Sequence, residues 1–138
     1  MLILMWLGFA LQLSGVVTSC DGALIPFTPE GLDGILFSPL LHGSWEHLLS
    51  NSVPIGVLLF LLFQFYPEIA PKVFFRGWLF TGLVVWLMPP SVFFDGRLTC
   101  IIGASGIVYM LAFFLFFSGV FRWNMKLLTI SLLVVLYY

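Results

Sequence analysis

Long apolar runs separated by short polar clusters set the pattern of this chain. Met1 to Val17 is apolar except for Gln12 and Ser14. Leu48 to Tyr66 is a second run, interrupted by Pro54 and closed by Pro67 and Pro71. Phe74 to Phe94 is a third, ended by Pro89, Pro90 and the turn Asp95-Gly96-Arg97, and Leu98 to Phe121 is a fourth. Leu127 onward starts a fifth, which has reached about half the length of a span at Tyr138. Roughly 20 helical residues cross a hydrocarbon core about 30 Å thick, so these runs predict transmembrane helices. Pro and Gly inside them are tolerated because neighbouring helices re-satisfy the freed backbone groups. Residues 18–45 break the pattern with Asp21, Gly22, Pro26, Pro29, Glu30, Gly31, Asp33, Gly34, Pro39 and Gly43. They read as a long irregular loop. Its Leu24, Ile25, Phe27, Ile35, Leu36, Phe37, Leu40 and Leu41 predict that it lies in the membrane interface.

Composition agrees. Of 138 residues, 62% are hydrophobic and 8% charged, against roughly 25% charged in an ordinary globular domain. That excludes a soluble domain and predicts an all-α polytopic membrane protein. A net charge of −1 leaves no basic surplus to neutralise a phosphate backbone, so nucleic acid is not expected as a partner. No Lys or Arg precedes the first run, whereas a cleaved signal peptide carries a basic n-region, so a retained helix is expected. Lys72, Arg76, Arg122 and Lys126 fall in the second-to-third and fourth-to-fifth connections, while the opposite side holds Asp21, Glu30, Asp33, Glu46, Asp95 and only one cation, Arg97. The positive-inside rule then places the amino terminus in the cytoplasm and the long loop outside.

Polar groups at membrane depth mark function by default, and two clusters stand out. The first is His42-Gly-Ser-Trp-Glu-His47-Leu-Leu-Ser-Asn51, at the outer start of the second helix. His47 and Asn51 are four residues apart and share a helix face. The second is Gly103-Ala-Ser105-Gly106-Ile-Val-Tyr109, near the outer end of the fourth helix, where Ser105 and Tyr109 share a face in the same way. Taken singly, each has a plain structural reading: small residues as a helix-packing surface, His as an interfacial contact, Asn as an interhelical hydrogen bond. Together on one side of one small bundle they supply a serine nucleophile, side-chain donors for an oxyanion, and the positive end of a helix dipole.

On these residues the chain resembles the rhomboid family of intramembrane serine proteases, in the spacing His42-x4-His47-x3-Asn51, in Gly103-Ala-Ser105-Gly106 and in Tyr109. The likeness covers nearly the whole chain, as one domain over residues 1–138, and looks like that of bacterial members with a minimal core, which implies a bacterial plasma membrane. It implies that Ser105 attacks the scissile carbonyl of transmembrane protein substrates, and that His47, Asn51 and the Ser105 amide hold the oxyanion. Tyr109 would pack beneath the imidazole of the general base, with His42 structural or water-coordinating, and the long loop would rest in the outer leaflet. Substrate helices would enter laterally and be cut near their outer ends.

The resemblance also implies a general-base His on a sixth helix, whereas the two His of this chain are both taken by the second-helix motif. Lys72 and Lys126 lie on the cytoplasmic side, roughly 30 Å from Ser105. The expectation is five of six helices, little or no proteolysis by these 138 residues alone, and a complete protein that continues through the sixth helix. The alternatives are a non-catalytic rhomboid-like protein that binds membrane clients, against which the intact Ser105 counts, and a channel or transporter, against which the one-sided polar clusters count. His42 and His47 lack a third ligand apart from Glu46, so no metal and no cofactor are expected. Cys20 and Cys100 both fall on the outer side, where a bridge is permitted, but free cysteines packed as small apolar residues are the expectation.

Overall fold

A computed structural model describes residues 1–18, 20–93, 97 and 99–138. Its helices are α1 (Leu2–Leu13), α2 (Gly34–Phe37), α3 (Trp45–Phe65), α4 (Ala70–Trp86), α5 (Pro90–Phe93), α6 (Ser105–Phe121) and α7 (Met125–Tyr137). Among the described residues no strand forms, and the β pairing present is one antiparallel bridge between Leu24 and Ile101. Phe94, Asp95, Gly96 and Leu98, at the predicted ends of the third and fourth runs, lie outside the described residues.

Helix α6 sits at the centre. It buries Ile107, Val108, Leu111, Ala112, Leu115 and Gly119 and packs against α3, α4 and α7. Hydrocarbon gives helices little hydrophobic reason to associate, so close approach through small residues matters. A Cβ on Gly106 would meet Thr81 Cγ2 at 2.5 Å, and one on Gly119 would meet the Leu128 backbone nitrogen at 2.8 Å. At the other end Tyr66 hydrogen-bonds Ser118, and the Arg122 guanidinium lies 5.1 Å over the Tyr66 ring. Helix α1 covers α3 with the buried Met5 and Phe9.

Only α3, with 21 residues, is both long and apolar enough among the described helices to cross a membrane; α1, α6 and α7 are shorter apolar helices. The differences from the sequence pattern have local causes. Pro71 starts α4 instead of closing the helix before it, since a proline in the first turn forfeits a hydrogen bond that would be unmade anyway. Ile101 pairs with Leu24 and the Gly103 N–H donates to the Ser38 carbonyl, so residues 99–104 are not helical and α6 begins at Ser105 and not near residue 98. The expectation of free cysteines is wrong: Cys20 and Cys100 form a disulfide, Cα to Cα 5.5 Å. The Leu24–Ile101 bridge lies beside them and brings the two segments into register.

Candidate active site

Ser44 starts α3 and sets the first site residue. Its hydroxyl accepts the His47 N–H at 3.2 Å, an N-cap that fixes the first helical turn, and Glu46 in that turn suits the helix dipole. One turn on, Asn51 is fully buried and donates through Nδ2 to the His47 carbonyl at 2.8 Å. One proton of that amide nitrogen is left for another acceptor.

The second cluster arrives through an irregular approach. Gly103 has φ +107°, in the region glycine adopts freely, and its N–H donates to the Ser38 carbonyl at 2.8 Å. The His47 imidazole packs against it so closely that a Cβ on Gly103 would stand 2.5 Å from Nε2. Ser105 follows as the first residue of α6, at the positive end of its dipole. The two polar clusters therefore meet at one end of the bundle, with His47 against the segment that carries Ser105.

Tyr138, which no spacing argument selected, completes the contact. Its hydroxyl donates to Asn51 Oδ1 at 3.0 Å and lies beside the Ser105 side chain. Its ring meets that of Tyr109 edge-on at 5.4 Å. Behind Ser105 a cavity of about 60 Å³ is lined by Ser38, Trp78, Thr81, Gly103 and Gly106, room for a few water molecules at roughly 15 Å³ each. The buried indole N–H of Trp78 has no hydrogen-bond partner among the described residues.

His42 stands one step further out. Its ring is 5.0 Å from that of His47, and its backbone N–H donates to Gln12 Oε1 at 2.9 Å. Neither of its buried ring nitrogens has a partner among the described residues. Burial, and then the nearby His47, lower its pKa to about 4, so it is neutral at pH 7. It also lines a cavity of about 370 Å³ with Phe9, Gln12, Thr18 and Ile102.

Residues 29–138 match the Rhomboid domain. The chain belongs to the rhomboid family. Rhomboid proteins are integral to the membrane, in keeping with the span available in α3. Uncharacterized proteins of Mycobacterium bovis and Mycobacterium tuberculosis are each 35% identical to this rhomboid over 117 residues, which is 80% of this chain and 45% of theirs. An uncharacterized protein of Mycobacterium leprae is 35% identical over 88 residues, 64% of this chain and 35% of its own length. The chain thus spans less than half the length of the curated relatives it matches. No solved structure matches it.

Proposed function

We propose that this rhomboid chain carries the nucleophile and oxyanion-binding part of an intramembrane serine endopeptidase that cuts transmembrane segments of other proteins. The observation that carries this reading is the meeting of His47 with Gly103 and of Asn51 with Ser105 through the Tyr138 hydroxyl. In the proposed reaction Ser105 Oγ attacks the scissile carbonyl. The developing oxyanion accepts hydrogen bonds from the second Nδ2–H of Asn51, a ring N–H of His47 and the Ser105 backbone N–H, with the α6 dipole favouring the negative charge. The base that removes the Ser105 proton is assigned to a His outside residues 1–138, because His47 serves the oxyanion and His42 stands behind it. The bundle crosses the bacterial plasma membrane with α1, α3, α4, α6 and α7, its amino terminus in the cytoplasm and the site toward the outer face. Two features support this topology. The first is the set of cations: Lys72 and Arg76 lie in the first two turns of α4, and not in a connection as the apolar runs predict, with Arg122 and Lys126 at the α6–α7 junction. The second is the stacking of the Trp86 and Phe27 rings at the loop end of α4.

The test is labelling of the full-length protein in membranes with a serine-reactive fluorophosphonate. Label on the native chain that is absent from Ser105→Ala supports the assignment, and equal label on both sinks it. His47→Ala or Asn51→Ala is expected to lower the cleavage rate about 10²-fold or more while the protein stays folded. A folded protein that takes no label and still binds membrane clients would be a non-catalytic rhomboid.

A further inference from the structure

The five residues before Ser105 are held from outside their own segment. Ile101 exchanges two backbone hydrogen bonds with Leu24, at 2.9 and 2.8 Å, and the Gly103 N–H reaches the Ser38 carbonyl at 2.8 Å. The Cys20–Cys100 disulfide adds a covalent tie across 80 residues of sequence. Residues 20–38 are a firm anchor, because Ala23, Leu24 and Ser38 are buried and Gly34 lets the backbone of α2 lie directly on Leu24. Residues 100–104 lie ahead of α6, so these ties decide where the Ser105 end of that helix sits relative to His47. The disulfide itself is reachable: Cys20 is exposed and Cys100 half-buried.

We propose that Cys20–Cys100 is a thiol–disulfide exchange site for a dithiol reductant of the outer compartment, and that its state sets the position of Ser105. A thiolate of the dithiol attacks the Sγ of Cys20, the more exposed of the two residues, breaking the S–S bond and expelling the Cys100 thiolate, which takes up a proton. The second thiol of the reductant then attacks its own sulfur in the mixed disulfide and releases the Cys20 thiolate. Two electrons pass to the cystine, and the dithiol leaves as a disulfide. Three backbone hydrogen bonds remain, each worth about 1 kcal/mol net, so reduction loosens the approach to Ser105 and leaves the helix bundle folded. The effect on reactivity rests on the serine-nucleophile reading, whereas the hold on the segment does not.

The experiment uses the full-length protein in membranes, unreduced and treated with dithiothreitol, followed by maleimide mass-tagging, hydrogen exchange over residues 99–107 and fluorophosphonate labelling. The unreduced protein is expected to take no maleimide on Cys20 or Cys100, and the reduced protein to take two. Reduction should speed exchange at the Ile101 and Gly103 amides about tenfold or more and slow labelling of Ser105 about 10²-fold, with both restored by oxidised glutathione. A Cys20→Ser, Cys100→Ser double variant should match the reduced protein and ignore the reductant; if it fails to fold, the reversible cycle on the native chain still decides. Two free thiols before reduction, or unchanged exchange and labelling after it, would overturn the proposal. If Ser105 is unlabelled in both states the protease reading falls, and exchange alone then decides: acceleration on reduction upholds the site, and no change overturns it.

Discussion

The Tyr138 hydroxyl donates to Asn51 Oδ1 at 3.0 Å and so fixes which edge of the Asn51 amide faces the site. With Oδ1 taken by Tyr138 and one Nδ2 proton on the His47 carbonyl, the remaining proton has one direction in which to point. Tyr138→Phe keeps the ring against Tyr109 and removes this link together with the hydroxyl's contact with the Ser105 side chain. It should lower kcat roughly tenfold with KM little changed, a smaller loss than the 10²-fold or more expected on deleting the oxyanion donor itself. The cost in stability should be about 1 kcal/mol. Steady-state cleavage of a transmembrane substrate, beside a thermal melt, checks both; an equal rise in KM would show that Tyr138 contacts substrate instead of orienting Asn51.

Gly103→Ala should be the most damaging single methyl addition near the site. The residue sits at φ +107°, where a side chain costs about 1–3 kcal/mol, and the new Cβ would press on His47 Nε2. Loss of phosphonate labelling together with a lower melting temperature is expected. Gly43→Ala is the control: its Cβ would find only Ile102 Cδ1, at 3.8 Å. Similar behaviour of the two variants would remove the case for a close His47–Gly103 contact.

Ser44→Ala removes the side chain that accepts the His47 N–H. An N-cap of this kind contributes about 1 kcal/mol, and here the turn it holds carries His47. The variant should melt lower by that amount and cleave more slowly, whereas Ser44→Asp, which can still cap, should recover both. Failure of Asp to rescue would separate the cap from the activity.

Much of this arrangement was legible because α3 and α7 are built from continuous apolar stretches, so they follow the apolar runs nearly residue for residue. The pairs His47/Asn51 and Ser105/Tyr109 were legible for a different reason: four-residue spacing puts both members on one face wherever the helix lies. Hydropathy failed at residues 99–104, because Ile101 and Ile102 are as apolar as a helix interior, yet Ile101 pairs with Leu24 in a β bridge. Tyr138 meets Asn51 across 87 residues of sequence, which no periodicity reaches. The cysteines were correctly placed on one side by the charge pattern, but their pairing depends on the Leu24–Ile101 bridge.

His42 is buried beside His47 with a pKa of about 4 in the folded protein, against about 6.5 in an unfolded chain. Its folded pKa is depressed, so the unfolded chain binds the proton more readily. The fold is therefore unaffected by His42 above pH 6.5 and loses stability as the pH falls from about 6.5 toward 4, by up to about 1.4 kcal/mol per unit. Below pH 4 both states are protonated and the slope ends. Because neither ring nitrogen has a partner among the described residues, His42→Leu should cost at most about 1.5 kcal/mol at pH 7.5. Between pH 6.5 and 4.5 the variant should lose less stability than the native chain, and the difference between the two curves isolates His42 from the carboxylates that titrate in the same range. Melts of both proteins in detergent across that range are the measurement. Parallel curves would mean that His42 takes up its proton in the folded state as easily as in the unfolded one, and that the cavity it lines solvates the charge.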